Sequence, residues 1–166
     1  MFKSPADLDI TPEEHAGLIA IMEHLRKPQI VHVISEEWDD AETGEPTEMG
    51  FNMSISTGQA NVTFDCGCVA CIGGHLSLLL QGVSVLDNTR VRLTTSQTSA
   101  ADYYVLNNVA LSDLFMPPVT ELFGDCWHLI KPATAADAIE SFLTWGIPDW
   151  KGAARKNGQS HLVRRA

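Results

Sequence analysis

Residues 9–28, DITPEEHAGLIAIMEHLRKP, carry both the start and the stop of a helix, and this fixes one element before anything else is read. Thr11 is the expected N-cap, Pro12 suits the first turn, and Glu14 stands where a capping box needs a carboxylate. Glu13 and Glu14 complement the positive end of the helix, and Arg26 and Lys27 the negative end. Pro28 stops it. Leu18, Ile19, Met22 and Leu25 form the expected buried stripe, while His15 and His24 read as partly exposed and structural. Residues 132–150, PATAADAIESFLTWGIPDW, are punctuated in the same way. Thr134 is the expected cap, with Asp137 three residues on. Ala135, Ala138, Ile139, Phe142 and Leu143 make one apolar face. Gly146 ends the helix and Pro148 blocks its restart. Trp145 and Trp150 are expected to close over the edge of the core.

Between these helices the signals are shorter. QIVHVISEEW reads as a strand, and MGFNMSIS and ANVTFDC as short extended pieces. Residues 69–82 read as a mostly buried helix, although Gly73 and Gly74 each cost about 1 kcal/mol against alanine there. Close approach of another backbone would explain them. VSVLDNTRVRLTT suggests a hairpin near Asp87–Asn88, and residues 100–110 a further helix. The expectation is a helix-rich α+β domain over residues 1–150, with one small antiparallel sheet, followed by a basic C-terminal tail over 151–166.

Charge divides the same way. The first 150 residues hold six Lys and Arg against twenty-one Asp and Glu, a net −15, while the last sixteen carry +5. So acidic a body repels nucleic acid, leaving only the tail as a contact for phosphate. Seven acids fall between Glu36 and Glu48, in a stretch with Gly and Pro that reads as a loop. Their spacing does not fit an EF-hand. Within it Glu36, Glu37, Asp39 and Asp40 surround Trp38. An aromatic among acids suits an anchor for a basic protein partner. No apolar run is long enough to span a membrane, and the first residues lack the apolar core of a signal peptide, so a cytoplasmic setting is expected.

The remaining feature is DCGCVACIGGH, residues 65–75. Three readings stay open. Cys66, Cys68, Cys71 and His75 supply three thiols and an imidazole, a ligand set zinc accepts, with Cys126 and His128 as further candidates. Against zinc, its sites normally join two separated segments, and one compact stretch gains less folding energy from a metal. Alternatively, Cys66 at a helix start is a nucleophile, its thiolate favoured by the helix end, with His128 on an extended CWHLIK as base. DCGCV resembles, in three positions, the Asp-Cys-Ser-Gly-Phe-Val start of a group of papain-like cell-wall peptidases. The third reading is packing. Cys68 and Cys71 line a tight helix crossing, His75 bonds a carbonyl, and a Cys66–Cys71 disulfide is a variant. No cofactor is required, and zinc is the candidate if there is one.

The ordered set FNMS, DCGCVACIGGHLSLL, NVALSDLFMPP and TAADAIESFLTWGIPDW resembles an uncharacterised family of small proteins of bacteria and their phages. Its members show F-D-M-S, C-G-T-x-A-C-I-A-G-H-A, L-G-L-S…L-F-x-P and a closing A…I…F…G…D-W. The corresponding positions are Phe51–Ser54, Cys66–His75, Val109–Pro117 and Ala135–Trp150, and with the gaps between them the ordered match covers about two thirds of the chain. Cys68 stands where the pattern has Thr, and Gly73 where it has Ala. The resemblance implies a bacterial or phage-infected cytoplasm and no particular reaction. The expected function is therefore a phage- or prophage-type accessory protein that acts without catalysis, docking a basic partner through its acidic surface. A cysteine hydrolase or transferase using Cys66 and His128, and a small zinc module, are the alternatives. Paired glycines on a helical face would also suit a homodimer.

Overall fold

A computed structural model describes residues 1–28, 30–32, 50–51, 53, 69–73, 75–76 and 109–164. The first helix, α1 (Pro12–Leu25), starts as its sequence dictates. Thr11 Oγ1 accepts the Glu14 N–H at 3.1 Å, and Glu14 Oε2 accepts the Thr11 N–H at 2.8 Å. This reciprocal box satisfies two donors that the helix start leaves open. The buried face of α1 is Gly17, Leu18, Ile21, Met22, His24 and Leu25, with Ile19 only partly covered.

Three further helices follow among the described residues: α2 (Val109–Phe115), α3 (Pro132–Trp145) and α4 (Trp150–Lys156). The core joins α1 to α3 through Leu18, Ile21 and Leu25 on one side and Ala135, Ala138, Ile139 and Phe142 on the other. Small residues along α3 let α1 lie close to it. Leu111, Leu114 and Phe115 of α2, and Trp150 and Ala154 of α4, complete that core. Gly146 ends α3 with φ +84°, a left-handed conformation open to glycine at little cost, and its N–H returns to the Phe142 carbonyl at 2.7 Å.

The expected α+β domain with an antiparallel sheet is not what the described residues form: they are helical. Extended structure there is limited to β1 (Val31–His32), β2 (Gly50–Phe51) and β3 (Val69–Ala70), two residues each. These pair in parallel, Val31 beside Gly50 and Gly50 beside Val69. Among the described residues most of the core comes from the helices. The hairpin expected near Asp87–Asn88 lies outside the described residues.

Other expectations need correcting. Thr134 does not cap α3; Lys131 holds the N-cap position and Thr134 lies buried within the first turn. Pro132 starts the helix three residues earlier than the Thr134 signal suggests. Trp150 is fully buried, but Trp145 stands out at 72% exposure. The close neighbour of Gly73 is a ring rather than a backbone, since a Cβ there would lie 3.0–3.1 Å from Phe115 atoms.

The basic stretch 151–166, expected as a tail, is folded as far as Arg164. Asp149 caps α4 by accepting the Gly152 N–H at 2.8 Å. Ala153, Ala154, Leu162 and Val163 are buried. Val163 pairs antiparallel with Leu122, the Arg164 N–H donates to the Glu121 carbonyl, and the Arg164 guanidinium lies 5.8 Å from the Phe123 ring centre. Lys151, Arg155, Lys156 and Arg164 carry their charge on anchored backbone.

Candidate functional site

Of the residues singled out from the sequence, Glu36, Glu37, Trp38, Asp39, Asp40, Cys66 and Cys68 lie outside the described residues. Cys71, His75 and His128 are placed. His128 sits in a 3-10 turn, Gly124–Leu129, not on the expected extended segment. Its backbone carbonyl is 3.0 Å from His32 Nε2.

Cys71 and His75 enter the core, 6% and 2% exposed. The His75 N–H donates to the Cys71 carbonyl at 3.0 Å, a single helical turn. Cys71 stands just before the helical residues 72–73 and 75–76. Facing His75 is His24 of α1, with ring centres 6.3 Å apart and planes inclined at 54°. The reading of His24 as partly exposed is wrong: it is 5% exposed, and neither ring nitrogen has a hydrogen-bond partner. Leaving a buried polar group unsatisfied costs about 1–3 kcal/mol. Burial, with the nearby Lys27 charge, pushes the His24 pKa down to about 4, so the imidazole is neutral at pH 7. Gly17, Ile21 and His24 follow one another at steps of four and three, and that line along α1 is a signal in the sequence that places His24 inside. No group of three or more His, Cys, Asp or Glu side chains is gathered for a metal among the described residues.

A second site lies at the surface between α3 and α4. Asp137, Glu140, Ser141, Thr144 and Trp145 face Asp149, Ala153 and Lys156 across a cleft of about 260 Å³. Asp137, Glu140, Ser141 and Thr144 recur at i, i+3, i+4 and i+7, a polar stripe opposite the buried face of α3. Arg26 of α1 reaches this edge and donates to Asp137 at 3.1 Å and Glu140 at 2.6 Å. Lys156 and Asn157 also donate to Asp137, at 2.9 and 2.8 Å. Burial raises the Asp137 pKa, but the hydrogen bonds from Lys156, Asn157 and Arg26 outweigh it and hold the carboxyl below its usual range. Trp145 and Ile147, 72% and 69% exposed, stand at the C-terminal end of α3. Lys3 fastens that end through its ammonium, which donates to the Trp145 carbonyl at 2.9 Å. The cleft was missed from sequence because Trp145, three residues after the buried Phe142 on α3, reads equally well as a core residue.

No family model, curated protein or solved structure matches the chain. No described helix is long and apolar enough to cross a membrane.

Proposed function

We propose that this is a non-enzymatic accessory protein, of the phage or prophage type its motifs resemble, that docks a basic segment of a partner protein. The observation that carries this reading is Trp145, exposed beside a cleft walled by Asp137, Glu140 and Asp149. An exposed Trp gives a partner Arg a flat π face, and the carboxylates give it hydrogen-bond acceptors. The ion pairs already in the cleft do not block it. Arg26 and Glu140 are each about 40% exposed at their side chains, and pairs of that kind contribute little net stability. A partner guanidinium can exchange with Arg26 at small cost. In sequence, the segment Glu36–Asp40 repeats this combination of acids around a Trp.

The test uses the full chain and a fluorescein-labelled peptide of alternating Arg and Leu, with a Glu/Leu peptide as control. Fluorescence anisotropy is followed from 50 to 500 mM salt. The Arg peptide is expected to bind and to weaken steeply with salt, because the attraction is partly screened. Trp145→Ala combined with Glu140→Gln is expected to weaken it at least tenfold and to flatten the salt dependence. Equal binding of both peptides, or an unaltered double variant, overturns the cleft as the docking surface. A parallel variant neutralises Glu36, Glu37, Asp39 and Asp40 with Trp38→Ala. If this variant alone loses binding, the partner docks on that segment instead.

A further inference from the structure

We propose that the partner segment received by the cleft between α3 and α4 belongs to a second copy of this chain: the turn Val119–Phe123, with the Arg164 guanidinium seated on it.

This rests on the docking reading above and names its partner. Apart from the terminal Met1, the exposed large apolar side chains among the described residues fall in two places. Trp145 lines the cleft with its carboxylates, and Ile147 stands two residues on. Met116, Val119 and Phe123 follow α2. There the exposed Arg164 guanidinium lies 5.8 Å from the Phe123 ring centre and donates through Nη1 to the Val119 carbonyl at 2.9 Å. Its planar fork keeps further donors for a carboxylate. Glu121, the one acid of this turn, is partly buried, and Arg165 adds a second positive charge in sequence. One patch is thus apolar and acidic, the other apolar and basic. An Arg set among apolar side chains is what an exposed Trp beside carboxylates suits. Both patches stay exposed in the single chain, so neither covers the other.

The turn is also preformed. The Glu121 and Leu122 N–H groups both donate to the Pro118 carbonyl, at 2.8 and 3.1 Å. Leu122 pairs with Val163, and the Arg164 N–H donates to the Glu121 carbonyl at 2.9 Å. A segment held this way loses little freedom on docking. Each chain offers one turn and one cleft, so the contact is head-to-tail. Gly73 packs on Phe115 of its own chain, and the paired glycines play no part. Two chains of net −10 repel at long range. At about 150 mM salt that repulsion is screened beyond about 8 Å, which leaves the close Arg–carboxylate contacts favourable.

The experiment is sedimentation velocity of the full chain in about 150 mM NaCl, over roughly 5 to 200 µM. A concentration-dependent rise above the monomer mass is expected, with a Kd in the micromolar range that suits a small interface. One variant carries Trp145→Ala with Glu140→Gln, the other Phe123→Ser with Arg164→Glu. Each alone is expected to associate at least tenfold more weakly, while an equal mixture of the two regains a dimer, because one intact turn then meets one intact cleft. Wild type that stays monomeric at the highest concentration overturns the proposal. So does association that survives in either variant, or a mixture no tighter than the variants alone. The Arg/Leu peptide separates the two readings. If it binds a chain that remains monomeric, self-docking falls and the cleft reading stands; if it does not bind either, both fall. The wild-type mass decides even if a variant does not fold.

Discussion

The Thr134 hydroxyl donates to the Gln159 side-chain oxygen at 2.6 Å, and both residues are buried, at 0% and 2% exposure. The same oxygen accepts the Lys131 N–H at 3.0 Å, and the Gln159 amide donates to the Leu129 carbonyl at 2.6 Å. One side chain from the C-terminal stretch thereby satisfies three groups around the start of α3. Gln159→Leu leaves all three unpaired and is expected to cost about 2–4 kcal/mol. Thr134→Val removes one bond and keeps the other two, so its cost should be nearer 1 kcal/mol. Urea unfolding of the two variants checks the order.

The two tryptophans flanking Gly146 should behave oppositely. Trp150 is fully buried and donates through Nε1 to the Asp113 carbonyl at 2.9 Å. Trp150→Ala is expected to cost about 3–5 kcal/mol. Trp145→Ala should stay within about 0.5 kcal/mol of the wild type, since it removes an exposed ring. Thermal melts of the pair report the difference directly.

Removing the His24 imidazole, whose ring nitrogens have no hydrogen-bond partner, should not harm the protein. His24→Leu is expected to match the wild type or exceed it by about 1 kcal/mol, because an apolar side chain of similar size replaces a buried, unsatisfied one. A large loss of stability in urea would show that the ring makes an interaction the neutral, buried state requires.

Acid should loosen the seam between α1, α3 and α4 through Asp137. Its carboxyl pKa is held low in the folded chain, so its contribution is complete above the unfolded value of about 3.9. That contribution is lost as pH falls through the lower, folded value. The stability gap between wild type and Asp137→Asn, measured by urea unfolding, is expected at pH 6 and should close as pH falls below about 4. A gap that does not depend on pH contradicts this assignment.

The parts of the fold legible in sequence were those whose signals are local. Thr11, Glu14, Gly146 and Pro148 announce helix ends through chemistry within four residues, and α1 and the end of α3 lie accordingly. What sequence did not show depends on distant partners. Thr134 looked like a cap because nothing nearby reveals that Gln159 takes its hydroxyl. Residues 151–164 looked like a tail because basic side chains mask the buried line of Ala153, Ala154, Leu162 and Val163. The candidate sites followed the same rule. Cys71 and His75 were found as a motif, but His24, whose ring lies beside that of His75, is on a helix whose histidines gave no sign of that contact. The acidic stripe on α3 could have been read from its period, whereas its exposed Trp could not.

The pairing of α1 with α3 has a further consequence, for synthesis. The Arg26–Asp137 bridge spans 111 positions, so α1 leaves the ribosome long before the surface that covers it exists. Its apolar face, Leu18, Ile21, Met22 and Leu25, has no α3 to meet until about four fifths of the chain has been made. Long-range closure of this kind slows folding and prolongs exposure of apolar surface. Nascent chains halted before residue 132 should therefore be protease-sensitive throughout α1, and those extended past Arg164 protected.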